Sequence, residues 1–223
     1  MSIELDHVFI CCSADAATVL TAFGLTEGTP NEHPGQGTAS RRFFFHNAYL
    51  ELLWVSDPSE AQSETTRPTC LWERWTGRDQ GACPFGLGFR PGPGDDRKAP
   101  FATWEYRPAF LPESLSFQVG MNSELATEPF IFFLPFAQLR RPDNQTGSRR
   151  QPLQHAAGFR EISFVELTIP RDGSRSAELR SVLDHRLVCV SEGAKPLLTL
   201  GFDGMAQGKY GDFRPALPLR FGW

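Results

Sequence analysis

The chain has only five cysteines, and no two of them stand in a C-x-x-C pair. A zinc site built on thiolates is therefore excluded. Cys11 and Cys12 are adjacent, and in a strand their side chains would point to opposite faces, which suits reduced, buried thiols better than a disulfide framework. Long apolar runs are missing as well: the longest, from Pro129 to Ala137, is strand-sized and excludes a membrane-spanning helix. The opening Met1-Ser2-Ile3-Glu4 has no basic segment ahead of an apolar one, so no signal peptide is expected and a cytoplasmic location is. Positive charge is scarce. With 22 Lys+Arg against 26 Asp+Glu the net charge is −4, which argues against a nucleic-acid surface. The pairs Arg140-Arg141 and Arg149-Arg150 read as a solvated loop, and the sequon Asn144-Gln145-Thr146 carries no weight without a secretory signal. No P-loop, nucleophile elbow, Ser-His-Asp ordering or strand-borne G-x-G-x-x-G occurs; Gly86-Leu87-Gly88 and the Gly92/Gly94 pair lack the helix a phosphate cradle needs.

What remains is a chain of 223 residues, 40% apolar, long enough to bury a large core as one domain or two fused modules. Two stretches carry most of the information: Leu5-Asp6-His7-Val8-Phe9-Ile10, and Arg41 through Trp54. Each reads as a strand whose apolar run is interrupted by a potential metal ligand, His7 in the first and Glu51 in the second. A polar group inside such a strand is costly to bury unless something pairs with it or binds it. Between them the spacing of Val19, Leu20 and Phe23 predicts a helix over 14–23, capped by Ser13 and closed by Gly24. A short strand is expected at 25–29, a loop at 30–38, and a hairpin from strands at 39–46 and 48–55 turning at Asn47.

Further on, a short helix is expected at 70–75 and strands at 85–89, 103–107, 114–119 and 129–136. The polar segment 137–157 reads as a linker between a first unit, 1–136, and a second, 158–223. The second unit reads as strand 160–169, a turn at Pro170-Arg171-Asp172-Gly173, helix 174–183, and strands 186–190 and 197–202. That is a degenerate repeat of 3–55. Its tail, 217–221, would add an edge strand. In that repeat Glu166 falls opposite His7, and Thr199 opposite Glu51.

The order strand, helix, loop, strand, strand, together with His33-Pro34-Gly35-Gln36-Gly37-Thr38 running into Arg41-Arg42-Phe43 and the closing Asp212-Phe213-Arg214-Pro215-Ala216-Leu217-Pro218-Leu219, resembles the glyoxalase-like branch of the vicinal-oxygen-chelate superfamily. The resemblance implies an α+β fold in which paired βαβββ modules curve around a pocket. It implies a divalent ion, Mn, Fe, Mg or Zn, held by His7 and Glu51 with Glu166 as a further ligand, although a full set of two imidazoles and two carboxylates is not present. Lyase, isomerase or dioxygenase chemistry on a small oxygen-rich metabolite would follow, with Glu105 or Glu166 as the proton-transferring carboxylate. The alternative is a metal-free small-molecule binder, like the antibiotic-sequestering members. Arg41, Arg42, His46 and Trp104 are the candidate substrate contacts, since an inward arginine makes two charge-assisted bonds to a carboxylate or phosphate. A homodimer fits the resemblance.

Each candidate has a plain structural reading too. His7 could be a core histidine donating to a carbonyl, and Glu51 the exposed face of an edge strand. Glu166 could be ion-paired to Arg41 or Arg42, and Glu105 paired near Arg107.

Overall fold

The computed structural model describes residues 2–139, 150–170 and 174–223. The pair Arg140-Arg141, Arg149, the Asn144 sequon and the expected turn at 171–173 lie outside the described residues.

The first unit is one eight-stranded sheet. Its first half is β1 (Ile3–Cys11), α1 (Thr18–Phe23), β2 (Asn31–His33), β3 (Thr38–Phe44) and β4 (Tyr49–Val55). After the short helices α2 (Pro58–Ala61) and α3 (Leu71–Thr76) come β5 (Phe85–Pro91), β6 (Thr103–Tyr106), β7 (Phe117–Gly120) and β8 (Phe130–Phe133). The strand order is β2-β3-β4-β1-β5-β8-β7-β6. β1 runs parallel to β4 and antiparallel to β5, and β5 runs parallel to β8. The two halves, β1–β4 and β5–β8, therefore mirror each other across the β1/β5 seam. This is the paired-module plan of the vicinal-oxygen-chelate fold, completed within the first sheet.

The second sheet contains β9 (Ile162–Ile169), β10 (Cys189–Glu192), β11 (Leu197–Phe202), β12 (Tyr210–Asp212) and β13 (Leu219–Gly222), with α4 (Ala177–Asp184) crossing from β9 to β10. Its order is β10-β9-β11-β13-β12. β9 is parallel to β10 and antiparallel to β11, and β11 is parallel to β13. The pattern of directions repeats that of β4-β1-β5-β8-β7. Glu166 thus occupies the strand equivalent to that of His7, but Thr199 sits on β11, the counterpart of β5 rather than of β4. Apolar patterning pairs Thr199 with Glu51; strand direction separates them. The tail strand β13 lies inside the sheet, and the edge is β12.

Two cores divide the aromatic content. Outward-facing Val8, Ile10, Phe43, Leu50, Leu52, Phe85, Leu87, Phe89 and Phe133 pack in one cluster with Val165, Leu167, Leu179, Val182, Leu200 and Phe221, so the second sheet and α4 cover the back of the first. Burying each such side chain contributes about 1.5–3 kcal/mol. On the other face Phe9, Cys11, Leu53, Leu71, Tyr106, Val119, Phe130 and Phe132 form a separate cluster. Leu53 on β4 and Tyr106 on β6 stand five places apart in the strand order yet share this cluster. The sheet therefore curls around it and has a concave face.

Polar pins join the sheets. The Asn47 amide donates to the Ile162 carbonyl at 2.7 Å and accepts from its N–H at 3.0 Å. His155 accepts from the Thr26 N–H and donates to the Phe44 carbonyl, each at 2.9 Å. Glu128 accepts from the backbone N–H of Ser176, the N-cap of α4, at 2.7 Å. Local expectations change, and residues 25–29 form no strand. The first helix begins at Thr18 with Ala17 at its N-cap and no side-chain cap, and β2 forms at 31–33, inside the expected loop, by pairing with β3. Gly24 does close α1 in the left-handed conformation, at φ 108°.

Candidate functional site

Backbone register explains how His7 reaches the concave face beside a partner from its own strand. β1 pairs Leu5 with Phe89 and His7 with Gly88, so Asp6 is an extra, bulged residue. In a regular strand adjacent side chains point to opposite faces. The bulge lets the Asp6 carboxylate meet its neighbour, and His7 Nδ1 stands 2.8 Å from Asp6 Oδ1. The other imidazole nitrogen, Nε2, stands 3.6 Å from Glu51 Oε2. Both side chains are buried. The imidazole stacks on Tyr49 at 4.3 Å between centroids and meets the edge of Phe132 at 5.2 Å.

Behind Asp6 lies Arg90, 4% exposed. Its guanidinium reaches Asp6 Oδ2 at 3.3 Å, Glu4 Oε2 at 3.0 Å and the Asn47 carbonyl at 2.7 Å. The groups form a line: Arg90, Asp6, His7, Glu51. Burial alone would raise the Asp6 pKa, but the His7 hydrogen bond and the charges of His7 and Arg90 outweigh it and hold the carboxyl below its usual 3.8.

Gly88 makes room for this line. A Cβ there would lie 2.8 Å from His7 Cε1, 2.9 Å from Nδ1 and 2.9 Å from Phe132 Cζ. Gly86 does the same for Phe9, whose ring would be 2.0 Å from a Cβ. On the mirrored half of the sheet, the concave-facing positions of β5 and β8 are thus glycine at 86 and 88 and phenylalanine at 130 and 132. None can bind a cation through a side-chain lone pair.

Around this centre, Arg42 is paired across β3/β4 with Glu51 and so faces the same side. Its guanidinium donates to the Thr29 carbonyl at 2.9 Å and lies over the Phe44 ring. His33 is buried: it accepts from the Asn31 amide at 2.7 Å and donates to Thr38 Oγ1 at 2.9 Å, with its ring tilted against Phe110. Burial lowers its pKa, partly countered by Glu51 and reinforced by Arg42 and His7. Ser40, between Thr38 and Arg42 on β3, is buried and its hydroxyl has no hydrogen-bond partner. The aromatic wall continues from Phe132 to Phe117 at 5.9 Å and from Phe117 to Phe110 and Tyr106.

The sequence candidates divide sharply. The structure brings His7, Glu51 and Arg42 together. Arg41 points to the other face and forms a two-pronged pair with Glu27 (Nε–Oε1 2.7 Å). His46 sits at the hairpin end, where its backbone N–H donates to the Arg160 carbonyl at 2.8 Å. Trp104 does face the concave side, but its indole donates to Ser123 at 3.1 Å and it packs beside Tyr106 rather than His7. Glu105 is exposed and bound to Arg107 and Ser116, each at 2.8 Å, so it lies outside the site. Glu166 is on the second sheet. Its strand neighbours Val165 and Leu167 face the shared core, so Glu166 faces away from it, and that core separates it from His7. Asp6, Arg90, Tyr49 and Gly88 were not among the candidates. Only the adjacency of Asp6 to His7 was visible in sequence, and alternation argues against their meeting unless a bulge intervenes.

A resident zinc or non-haem iron ion does not fit these residues. One imidazole nitrogen and one carboxylate oxygen converge, and no cluster of three or more His, Cys, Asp or Glu side chains occurs among the described residues. Catalytic sites for zinc and non-haem iron use three protein ligands or more.

Residues 5–104 match the family model of the glyoxalase-like domain. This part of the chain is similar to a glyoxalase-like domain. The match spans β1 to β6, including the whole Arg90–Asp6–His7–Glu51 line. Among solved structures, a hypothetical protein from Staphylococcus aureus superposes with a TM-score of 0.59 at 11% identity, covering 99% of each chain. It shares the fold, second sheet included. A hypothetical protein from Bacillus halodurans C-125 (TM-score 0.39, 12% identity, 60% of this chain and 94% of that one) is more distant. So is a xylose isomerase-like TIM barrel/4-hydroxyphenylpyruvate dioxygenase fusion protein (0.42, 9%, 89% and 36%). Neither superposes well enough to bear on the activity of the glyoxalase-like domain. No curated protein matches the chain. No described helix is long and apolar enough to cross a membrane.

Proposed function

We propose that this chain binds a small anionic metabolite in the concave face of its glyoxalase-like sheet, without a resident metal ion. The observation that carries the reading is the buried His7–Glu51 pair, 3.6 Å apart, with Arg42 directly across the β3/β4 ladder from Glu51. The pair supplies a polar floor and Arg42 a planar cation suited to a carboxylate or phosphate. The buried hydroxyl of Ser40 on the same strand supports it, since polar atoms at that depth normally have a partner. The aromatic wall would exclude water and strengthen each polar contact.

The second reading, a divalent-metal enzyme of lyase, isomerase or dioxygenase type, is favoured by one observation: the same 3.6 Å separation is short enough for one ion to touch both groups. Elemental analysis, followed by titration of Mn²⁺, Fe²⁺ and Zn²⁺ into wild type and His7→Ala, separates the two. The expected result is no stoichiometric metal, with thermal stabilisation by millimolar phosphate or small carboxylates that is lost in Arg42→Gln. Stoichiometric metal that survives gel filtration and disappears in His7→Ala would replace the first reading by the second.

A further inference from the structure

The Asp6 carboxylate is buried, bulged out of the ladder, and held by Arg90 from one side and His7 from the other. An ionised carboxylate only accepts hydrogen bonds. At 2.8 Å from His7 Nδ1 it requires a proton on that nitrogen. On the far side of the ring, Nε2 and Glu51 Oε2 are 3.6 Å apart, beyond hydrogen-bond length. An Nε2–H aimed at a buried carboxylate would be expected to draw it to about 2.7–2.9 Å. The spacing is that of two acceptors facing a common third group. Tyr49 and Phe132 pack against the imidazole and limit its rotation, and the absence of a Cβ at Gly88 lets the ring sit in this position.

We propose that Asp6 is a positioning residue that keeps the His7 proton on Nδ1, so that Nε2 and Glu51 together clamp a hydrogen-bond donor. The ligand class follows: an anion that also carries a hydroxyl group, such as a small 2-hydroxy acid, whose single O–H proton is shared in a three-centre bond between Nε2 and Oε2, with the anionic end toward Arg42. This rests on the binding reading above and extends it from any small anion to a hydroxylated one.

The test is a long-range ¹H–¹⁵N spectrum of the full chain labelled at histidine, near neutral pH, with His7 assigned by its loss in His7→Gln. Wild type is expected to show a protonated Nδ1 and a bare Nε2. Asp6→Asn is expected to shift the ring toward the other tautomer while the backbone spectrum stays folded, and Asp6→Glu to restore the wild-type pattern. Lactate is then expected to move the Nε2 resonance where propionate, which lacks the hydroxyl, does not. In Asp6→Asn the lactate response should need about tenfold more ligand, the weight of one hydrogen bond to a charged group.

A proton on Nε2 in wild type overturns the proposal, and so does an unchanged ring in folded Asp6→Asn. Equal shifts with lactate and propionate remove the hydroxyl preference but leave anion binding standing. No response to either acid, with the predicted tautomer present, overturns the binding reading and the ligand class together, and upholds the hold of Asp6 on His7. Should Asp6→Asn fail to fold, the wild-type tautomer and the lactate–propionate comparison still decide.

Discussion

The sharpest perturbation of the site adds one methyl group opposite it. In Gly88→Ala the new Cβ would lie 2.8 Å from His7 Cε1, 2.9 Å from His7 Nδ1 and 2.9 Å from Phe132 Cζ. Carbon atoms in contact sit at about 3.5–4.0 Å, so the imidazole must retreat by roughly half an ångström or more. Its hydrogen bond to Asp6, 2.8 Å in the wild type, would stretch past the normal range. Gly88 is not among the glycines with positive φ, so alanine fits the backbone there. Restricting the unfolded chain should return about 0.4–1 kcal/mol, against an overpacking cost of about 1–3 kcal/mol. The net effect is a destabilisation of up to about 2.6 kcal/mol, or up to roughly 10 °C in Tm for a chain of this size. Gly86→Ala should be worse, because Phe9 Cε1 would lie 2.0 Å from the added carbon and the large ring has less room to move. Thermal and urea unfolding measure the stability of both variants, and the His7 ring resonances report the displacement. Gly88→Ala with wild-type stability and unmoved His7 resonances would refute the packing argument on which the site's geometry rests.

Arg74 is fully buried, and its guanidinium donates to the carbonyls of Ser123 at 2.9 Å, Leu125 at 3.1 Å, Ala126 at 3.2 Å and Glu128. Arg74→Met should cost about 3–5 kcal/mol by stranding those carbonyls, read as a lowered urea midpoint. Because Asp6 titrates below its usual 3.8 in the folded state, its contribution to stability is present above that value and is lost as pH falls through the lower folded pKa. Asp6→Asn should therefore be less stable than wild type near neutrality and converge with it in acid; parallel Tm-versus-pH curves would contradict this. Glu128→Ala removes the acceptor for the Ser176 N–H and hydroxyl and should loosen α4 by about 1–2 kcal/mol, seen as faster amide exchange in residues 177–184.

Much of the fold was legible because its signals are local. Short apolar runs mark β1, β3, β4, β9 and β11, and Gly24 marks the end of α1 through a backbone angle that favours glycine. The two ligand-like interruptions, His7 and Glu51, stood out because a polar group in an apolar strand needs a reason to be there. The choice within Arg41-Arg42 was constrained to one inward residue by strand geometry, and pairing with Glu51 makes it Arg42. The location of the structural repeat was less legible. Periodicity says that a segment is a strand and says nothing of its direction, so β11 was matched to β4 and Glu166 was assigned to a site that lies across a core.

By itself, then, the sequence determined the α+β character, the opening module and the two polar interruptions, His7 and Glu51, since each follows from short-range patterning. Only the tertiary structure decided that the second half of the concave face comes from β5–β8, where glycine and phenylalanine stand beside His7, and that the second sheet covers the back. It alone brought Arg90, Asp6, His7 and Glu51 into one line. The reason is physical: a single bulged residue turns a side chain to the opposite face, and a bulge is fixed by how one strand registers against another.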